Sequence, residues 1–289
     1  MTSQTGGENA FPTLEREAVA RIERELRGRP KATQMWRLLS DDPEVRAFWG
    51  MADYVVVQKL GMNDHGRTHA KIAAASALTM LGLLERAGVV PDMVSSGQGD
   101  SDDAALAVMT GALCHDFGNM IHREAHSETS IALVLPVLAR LLPKIYDEPA
   151  KRTAISSFIL SSIYSHHGVP KPITIEAALV CIGDSTDMTK GRGRAAFERG
   201  SITIHSVSAL SIERVEIRKG KTRPIELRIT MSNSAGIFQV QEILAPKVRA
   251  GPLAGYVDVI AVTDQSAGAE NNIVRGIRMD GSRFVPYEE

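Results

Sequence analysis

Residues 112–126 read ALCHDFGNMIHREAH, and they place ionisable side chains inside a stretch whose remaining pattern is typical of a buried helix. The ionisable residues of interest are His115, Asp116, His122 and His126. Ionisable groups are seldom buried without a partner, because an uncompensated buried charge is costly. The stretch therefore predicts that a partner in the interior compensates these side chains.

The composition is that of a globular protein with a full core. Of the 289 residues, 44% are hydrophobic and 23% are charged, and the formal net charge is −1. A nearly neutral chain has no overall field that attracts nucleic acid or an anionic membrane, so neither is an expected partner. No apolar run approaches the roughly 20 residues of a membrane-spanning helix, and the N-terminus lacks a signal-peptide pattern. Cys114 and Cys181 lie in apolar runs, which indicates reduced thiols and a cytoplasmic location.

Hydrophobic periodicity predicts a mainly α fold, a helical bundle followed by a small α+β unit. The helical segments are residues 14–27, 43–60, 65–87, 103–121, 127–142, 149–166 and 174–188. The later pattern is β-β-α-β, with a hairpin at 214–218 and 224–231, a helix at 236–248 and a strand at 256–262. The expected organisation is a disordered N-terminus at 1–12, a helical domain at 13–204 and an α+β domain at 205–289. The last domain carries no identifiable chemistry. It is expected to pack on the helical domain and stabilise it, and the alternatives are a homodimer surface or a binding site for a small effector.

Four predicted helices carry a polar residue on the apolar stripe that faces the core. These residues are His69, Asp116, His166 and Asp184, and each lies near a helix end or a break. A single inward histidine is more often a hydrogen-bonded core residue than a metal ligand. Several imidazoles and carboxylates in one core repel or desolvate one another unless a cation holds them. The mixed nitrogen and oxygen set suits Fe, Mn, Zn, Ni or Co, so the pattern predicts two divalent transition metal ions bridged by Asp116.

The ordered set of these residues resembles the HD-domain superfamily of metal-dependent phosphohydrolases. The similarity covers about residues 60–192, and it is carried by the segments LCHDFGN, SHHG and IGDSTD. The residues that match are His69, His115, Asp116, His126, His166, His167 and Asp184. The resemblance implies an all-α bundle with the metal site at its centre.

The resemblance also implies a ligand set. The first metal would be held by His69, His115, Asp116 and Asp184, and the second by Asp116, His126 and His166. A water or hydroxide activated by both ions would be the nucleophile. His122 lies one helical turn before His126 and competes with it as the ligand; we prefer His126.

Other polar residues near this set are assigned to the substrate and to the surroundings of the metals. Where many members of the superfamily have lysine, this chain has Asn119, an uncharged hydrogen-bonding group, and the expected catalytic residues are Asp116, Asn119 and Arg123. His122 and Arg123 are expected to contact either the metal ligands or the substrate phosphate. Asp187 is expected either to accept a hydrogen bond from a ligand histidine and orient it, or to be simply a polar residue at a helix end. The stretch MTKGRGR places Lys190, Arg192 and Arg194 where they can bind a phosphate, or where they form a solvated loop.

The His166–His167 pair resembles the HD-GYP subgroup of cyclic-dinucleotide phosphodiesterases, but the GYP stretch is missing here. A third ion held by His65 and His167 is one alternative, and a solvent-exposed pair is the favoured one. A cyclic dinucleotide is therefore a permitted substrate and not an implied one.

The sequence as a whole predicts a metal-dependent phosphohydrolase of phosphodiesterase or phosphatase type. Its expected partner is a small phosphorylated molecule, a nucleotide or a cyclic nucleotide. Two alternatives stay open: a di-iron oxygenase of the same superfamily, and a non-catalytic regulatory protein that binds metal or nucleotide.

Overall fold

The computed structural model describes residues 10–190, 192, 204–264 and 274–288. Residues 1–9 of the expected N-terminal tail lie outside this set. The helices of the first part are α1 (Ala10–Glu25), α2 (Pro30–Asp41), α3 (Pro43–Asp53), α4 (Arg67–Arg86), α5 (Asp92–Ser95), α6 (Ser101–Cys114), α7 (His126–Leu141), α8 (Pro149–Tyr164) and α9 (Ile175–Ser185). A π-helical turn (Tyr54–Lys59) extends α3, and a 3₁₀ turn (Phe117–Met120) follows α6. The mainly α architecture is confirmed.

The second part of the chain adds a small sheet. It contains α10 (Ile204–Leu210), β1 (Ile212–Lys219), β2 (Ile225–Met231), a π-helical turn (Gln239–Leu244), α11 (Ala245–Ala250), β3 (Val257–Thr263), β4 (Gly276–Asp280) and β5 (Arg283–Pro286). The strands are hydrogen-bonded in the order β1-β2-β3-β4-β5. Strands β2 and β3 pair in parallel, because the connection with α11 crosses over between them. The predicted hairpin of β1 and β2 is confirmed.

The capping residues fix two of the predicted helix starts. The Asp42 side chain accepts hydrogen bonds from the backbone N–H groups of Glu44 and Val45. At the start of α6, Asp100 and Asp103 form a reciprocal capping box. Such side chains satisfy backbone donors that have no partner within the helix, and each contributes about 1 kcal/mol.

The structure corrects several of the predicted elements. Helix α2 was not predicted, although its buried face has helical spacing. The helix predicted over 103–121 ends at Cys114, and the 3₁₀ turn Phe117–Met120 follows it in place of a continuous helix. The segment 236–248 is divided between a π-helical turn and α11, since Pro246 lacks the backbone N–H that a continuous helix needs. Strands β4 and β5 extend the predicted β-β-α-β unit to a five-stranded sheet.

Close packing between α4 and α9 brings opposite sides of the core together. A Cβ atom at Gly183 would lie 2.8 Å from the carbonyl oxygen of Ala73 and 3.1 Å from Cβ of Ala77. Glycine therefore lets the two backbones approach more closely than any other residue would. As a consequence, Asp184 at the end of α9 lies beside His69 in the first turn of α4.

Helix α11 packs against α9, so the second part of the chain covers one side of the helical core. Buried apolar side chains of the sheet belong to the same hydrophobic core as the helices; they include Ile225, Leu227, Ile229, Val257 and Val259. Among the described helices, none has the length and apolar character that crossing a membrane requires.

Candidate metal centre

A cleft of about 610 Å³ lies between the helical core and the connection from β2 to β3. Asp116 and Asp184 line its polar floor, and Lys247 of α11 lines the cleft beside Asp184. Arg123 and Arg192 also line the cleft. The site is therefore built from both parts of the chain.

The six residues expected as metal ligands converge at the floor of this cleft. His69 lies in the first turn of α4, His115 and Asp116 follow α6, His126 begins α7, His166 follows α8, and Asp184 lies in the last turn of α9. All six are buried, with Asp184 the most exposed at 8%. Because each lies at the end of a helix, the side chains meet while the helical hydrogen bonds stay intact.

One group of these residues surrounds the Oδ2 side of Asp116. His69 Nε2 lies 3.2 Å from His115 Nε2 and 3.0 Å from Asp184 Oδ1. Asp116 Oδ2 is 3.5 Å from His69 Nε2 and 3.3 Å from His115 Nε2. The ligand atoms of His69, His115 and Asp184 are close enough to share one metal ion.

A second group surrounds the other oxygen of the same carboxylate. Asp116 Oδ1 is 3.3 Å from His126 Nε2 and 3.9 Å from His166 Nε2. These two imidazole nitrogens are 3.2 Å apart. His167 Nε2 lies 2.8 Å from His126 Nε2, so His167 adds a further imidazole to this group. Asp116 thus lies between two potential metal positions.

The orientation of the rings supports metal binding. The Nδ1 atoms of His115, His126 and His166 lie 2.8, 2.7 and 2.6 Å from the carbonyl oxygens of Ala112, Arg123 and Ile163. A carbonyl only accepts, so Nδ1 carries the proton in each ring and the Nε2 lone pair of the neutral ring faces the centre. Lone pairs of neutral rings about 3 Å apart repel one another unless a cation or a proton lies between them.

The Asp116 carboxylate gives the most direct indication that the cluster can bind a cation. Its Oδ2 atom is buried and accepts no hydrogen bond from the described residues. A buried polar atom in this state is costly unless something else pairs with it. The cluster of nitrogen and oxygen donors fits a divalent transition metal, so the residues present fit the expected ions.

The pKa values of the clustered side chains reflect both their burial and the charges of their neighbours. Burial opposes ionisation of Asp116, but His115 beside it holds the pKa of the carboxyl well below its usual range. Burial likewise lowers the pKa of His115, and the adjacent Asp116 overrides it and raises that pKa to about 10. For His166, burial and the neighbouring His115 keep the pKa well below its usual value. Asp116 and His115 therefore each favour the charged form of the other.

Asn119 and Arg123, the other residues expected to be catalytic, lie beside the second group. The Asn119 side chain donates a hydrogen bond of 2.7 Å to Asp116 Oδ1. Arg123 Nη1 donates to Asn119 Oδ1 at 3.3 Å and lies 3.1 Å from His126 Nε2. Both side chains thus border the place where a ligand of the cluster would lie.

His122 does not join the cluster. It is exposed, and its Nδ1 atom accepts a hydrogen bond of 3.0 Å from the backbone N–H of Glu124. The geometry thus favours His126 over His122.

His65 and His167 do not form the solvent-exposed pair that was favoured. His65 is 6% exposed, and its Nδ1 atom lies 2.6 Å from the carbonyl oxygen of Asn63. His65 lines the cleft, but it belongs to none of the potential metal groups among the described residues. His167 is more exposed and lies against His126. Burial and the nearby Lys247 ammonium lower the pKa of His167 to about 3.

The basic stretch after Asp184 divides into residues with different surroundings. The Lys190 ammonium pairs with Glu213 and is half-exposed, and Lys190 does not line the cleft, so its surroundings are those of the solvated-loop alternative. Arg192 enters the cleft and donates to the carbonyl oxygens of Asp64 at 3.0 Å and Asp187 at 2.9 Å. Arg194 lies outside the described residues.

Sequence reasoning missed Lys247. Its ammonium forms an ion pair with Asp184 Oδ2, so the second part of the chain, in which the sequence showed no identifiable chemistry, contributes a charged group to the site. Burial opposes ionisation of Asp184, and Lys247 is the main group that lowers its pKa well below the usual range. A single lysine in a short helix has no sequence pattern that marks it, so only the packing of α11 on α9 reveals it.

The fold and the site together define a mainly helical protein whose buried His/Asp cluster can hold metal ions. The chain is 41% identical over 236 residues to the uncharacterized protein MJ1020 of Methanocaldococcus jannaschii, a match that covers 82% of this chain and 90% of that protein. The chain therefore belongs to the same family as MJ1020. No family model matches the sequence, and no solved structure matches it.

Proposed function

We propose that the protein is a metal-dependent phosphohydrolase of the HD-domain type that cleaves a phosphoester or phosphoanhydride, with a nucleotide or cyclic nucleotide as the substrate class. The observation that carries the proposal is the position of Asp116, whose two carboxylate oxygens face separate groups of imidazoles. A carboxylate shared in this way suits a pair of metal ions.

The two ions would share Asp116. The first would be held by His69, His115 and Asp184, and the second by His126 and His166, with His167 at its edge. When bound, such ions supply Lewis acidity to a phosphoryl oxygen and to water. The carbonyl contacts of the histidine Nδ1 atoms hold the rings ready for this role, so little reorganisation is needed on binding.

The surroundings of the cluster favour an anionic substrate with an apolar portion. Arg123 and Arg192 bring guanidinium groups to the cleft, and guanidinium groups suit phosphate oxygens. Met62, Met188 and Ile243 provide an apolar wall of the same cleft. A phosphate against the cluster with a nucleobase against the apolar wall accounts for both features.

The test is turnover under strict anaerobiosis by the full chain reconstituted with Mn²⁺ or Zn²⁺. A panel of nucleoside monophosphates, triphosphates, cyclic mononucleotides and cyclic dinucleotides would be assayed for released phosphate or for the opened ester. A hydrolase needs no electron transfer, so we expect cleavage without oxygen and with a redox-inert ion.

Two other outcomes would overturn the proposal. Product formed with iron alone, in proportion to oxygen consumed, would indicate a di-iron oxygenase. Tight binding of metal and nucleotide without turnover of any phosphoester would indicate a regulatory protein. In either case the chain with Asp116→Ala is the matched blank, because it lacks the shared carboxylate.

A further inference from the structure

Lys247 lies where the two parts of the chain meet over the metal cluster. Its side chain is 11% exposed, and its ammonium pairs with Asp184 Oδ2. Asp184 turns its other oxygen, Oδ1, towards His69 Nε2 at 3.0 Å. One carboxylate therefore contacts the first metal group through one oxygen and Lys247 through the other.

The aliphatic stem of Lys247 also lies near the turn that carries His166 and His167. A Cβ atom at Gly168 would lie 3.9 Å from Cγ of Lys247, and Gly168 directly follows the His166–His167 pair. The ammonium is close enough to His167 to lower the pKa of that ring, after the larger effect of burial. Lys247 thus lies beside both groups, on the wall of the cleft that faces the helical core.

The hydrogen-bond partners distinguish Lys247 from the guanidinium groups of the cleft. Arg192 donates from Nε and Nη1 to the carbonyl oxygens of Asp64 and Asp187, and its Nη2 atom lies 3.4 Å from His69 Nε2. An ammonium has three N–H donors. In the part of the chain that the structure describes, Asp184 is the one hydrogen-bond acceptor for Lys247. Lys247 therefore keeps donors for a ligand in the cleft.

We propose that Lys247 is a substrate-binding residue whose ammonium donates to a non-bridging phosphate oxygen, so that the second part of the chain completes the site. The identity of the ligand as a phosphate rests on the proposed function. A charge-assisted hydrogen bond is stronger and shorter than a neutral one. The Lys247 ammonium that would make it lies beside Asp184 of the first group, and its stem lies near the turn of the second. Asp184 positions the ammonium, and the phosphate oxygen accepts a hydrogen bond from another of its N–H groups.

The experiment compares Lys247→Gln with Arg249→Gln, both made in the full chain loaded with Mn²⁺. Arg249 lies on the same helix, donates to the carbonyl oxygen of Ser282 and does not line the cleft, so its substitution removes an equal charge away from the site. Inorganic phosphate is titrated calorimetrically into each protein, and bound metal is measured in parallel. We expect phosphate affinity to fall about 10- to 100-fold for Lys247→Gln, the range of one charge-assisted hydrogen bond. Arg249→Gln should bind phosphate as the unmodified chain does.

Two further variants guard against a folding defect. Lys247→Met keeps the apolar stem and removes the charge, so it should repeat the loss. Lys247→Arg keeps the charge and should bind phosphate within about threefold of the unmodified chain, since both cations pair with phosphate. Helical circular dichroism would confirm that each variant is folded.

The outcomes separate this proposal from the proposed function. Unchanged phosphate affinity in folded Lys247→Gln would overturn it, as would failure of the unmodified metal-loaded chain to bind phosphate. Loss of bound metal in Lys247→Gln would also overturn it, because Lys247 would then act by positioning Asp184. If phosphate binding depends on Lys247 while no phosphoester is cleaved, the anion site stands and the hydrolase assignment fails.

Discussion

The Nδ1 atom of His69 lies 2.8 Å from Asp187 Oδ2, and this contact aims His69 Nε2 at Asp184 Oδ1, 3.0 Å away. The rings of His115, His126 and His166 are oriented by backbone carbonyls instead. His69 is therefore the histidine of the proposed ligand set whose orientation depends on a side chain. That dependence can be tested by substitution.

Asp187→Asn should weaken binding of the first metal about 10- to 100-fold, the usual effect of removing a group that orients a ligand histidine. The variant keeps the volume of the side chain and removes its charge. Metal affinity would be measured by competition with a chromophoric chelator. The control is Asp147→Asn, an exposed carboxylate away from the site, which should leave affinity unchanged. Equal affinities in the two variants would show that Asp187 does not support the metal.

Asp116→Ala should reduce bound metal from about two ions per chain to one weakly held ion or none. The reason is that both proposed positions share this carboxylate. Elemental analysis of protein purified without chelator would measure the change, with circular dichroism as the check on folding. Two tightly bound ions in the variant would contradict the bridge.

His126→Ala should empty one metal position, whereas His122→Ala should leave both filled. The His126 ring faces Asp116 at 3.3 Å, but His122 is exposed and its Nδ1 atom is engaged by a backbone N–H. Metal content of the two variants, prepared side by side, gives the answer. The opposite pattern would mean that the second metal is held one turn earlier in the chain.

Gly118→Ala should displace the start of α7 and lose the second metal. A Cβ atom there would lie 2.1 Å from the carbonyl oxygen of His126 and 2.7 Å from the backbone nitrogen of Ser130. Forcing atoms into a packed interior costs about 1–3 kcal/mol or more, so we also expect a lower melting temperature.

The matched control is Gly50→Ala, where a Cβ atom meets no atom within 4 Å. Gly50 lies inside α3, and alanine there should raise stability by about 0.5–1 kcal/mol. If Gly118→Ala kept the full metal content, the contact between the 3₁₀ turn and α7 would not position His126.

Acid should destabilise the protein in part through Asp103. Burial would raise the pKa of this carboxyl, but hydrogen bonds from Lys151, Lys31 and Tyr146 lower it to about 2. The unfolded-state pKa is about 3.9, so the stabilisation is complete above about pH 4. It is lost as the pH falls from about 4 through about 2, because over this range the unfolded chain binds the proton and the folded protein still opposes it.

Asp103→Asn should therefore show a smaller loss in the free energy of unfolding between pH 4 and 2 than the unmodified chain. Urea unfolding at several pH values would measure the difference, and Asp147→Asn is the control. Parallel pH profiles for the unmodified chain and Asp103→Asn would contradict the assignment.

Helical spacing in the sequence was enough to find most of the candidate site. His69, Asp116, His166 and Asp184 all lie on apolar stripes, and the structure brings them together. The same spacing placed Asp116 on a continuous helix, yet that helix ends at Cys114. A helix end depends on what the next residues can contact, and periodicity does not record those contacts.

The remainder of the site depends on long-range packing. Lys247 is a single basic residue whose neighbours in the sequence do not indicate a partner, and the basic stretch around Arg192 does not show which of its residues enters the cleft. Their roles follow from α11 packing on α9 and from carbonyl oxygens on distant turns. The missed strands β4 and β5 follow the same rule, since such short strands derive their stability from the strands beside them.

The ribosome makes the proposed metal ligands before it makes Lys247. Asp184 is the last of those ligands, and Lys247 follows it after 63 residues. At about 5–20 residues per second, that interval lasts roughly 3 to 13 s. During this time the nascent chain has its complete set of imidazoles and carboxylates, while Asp184 still lacks the ammonium that pairs with it. The order of translation thus separates synthesis of the proposed metal ligands from synthesis of the lysine that pairs with Asp184.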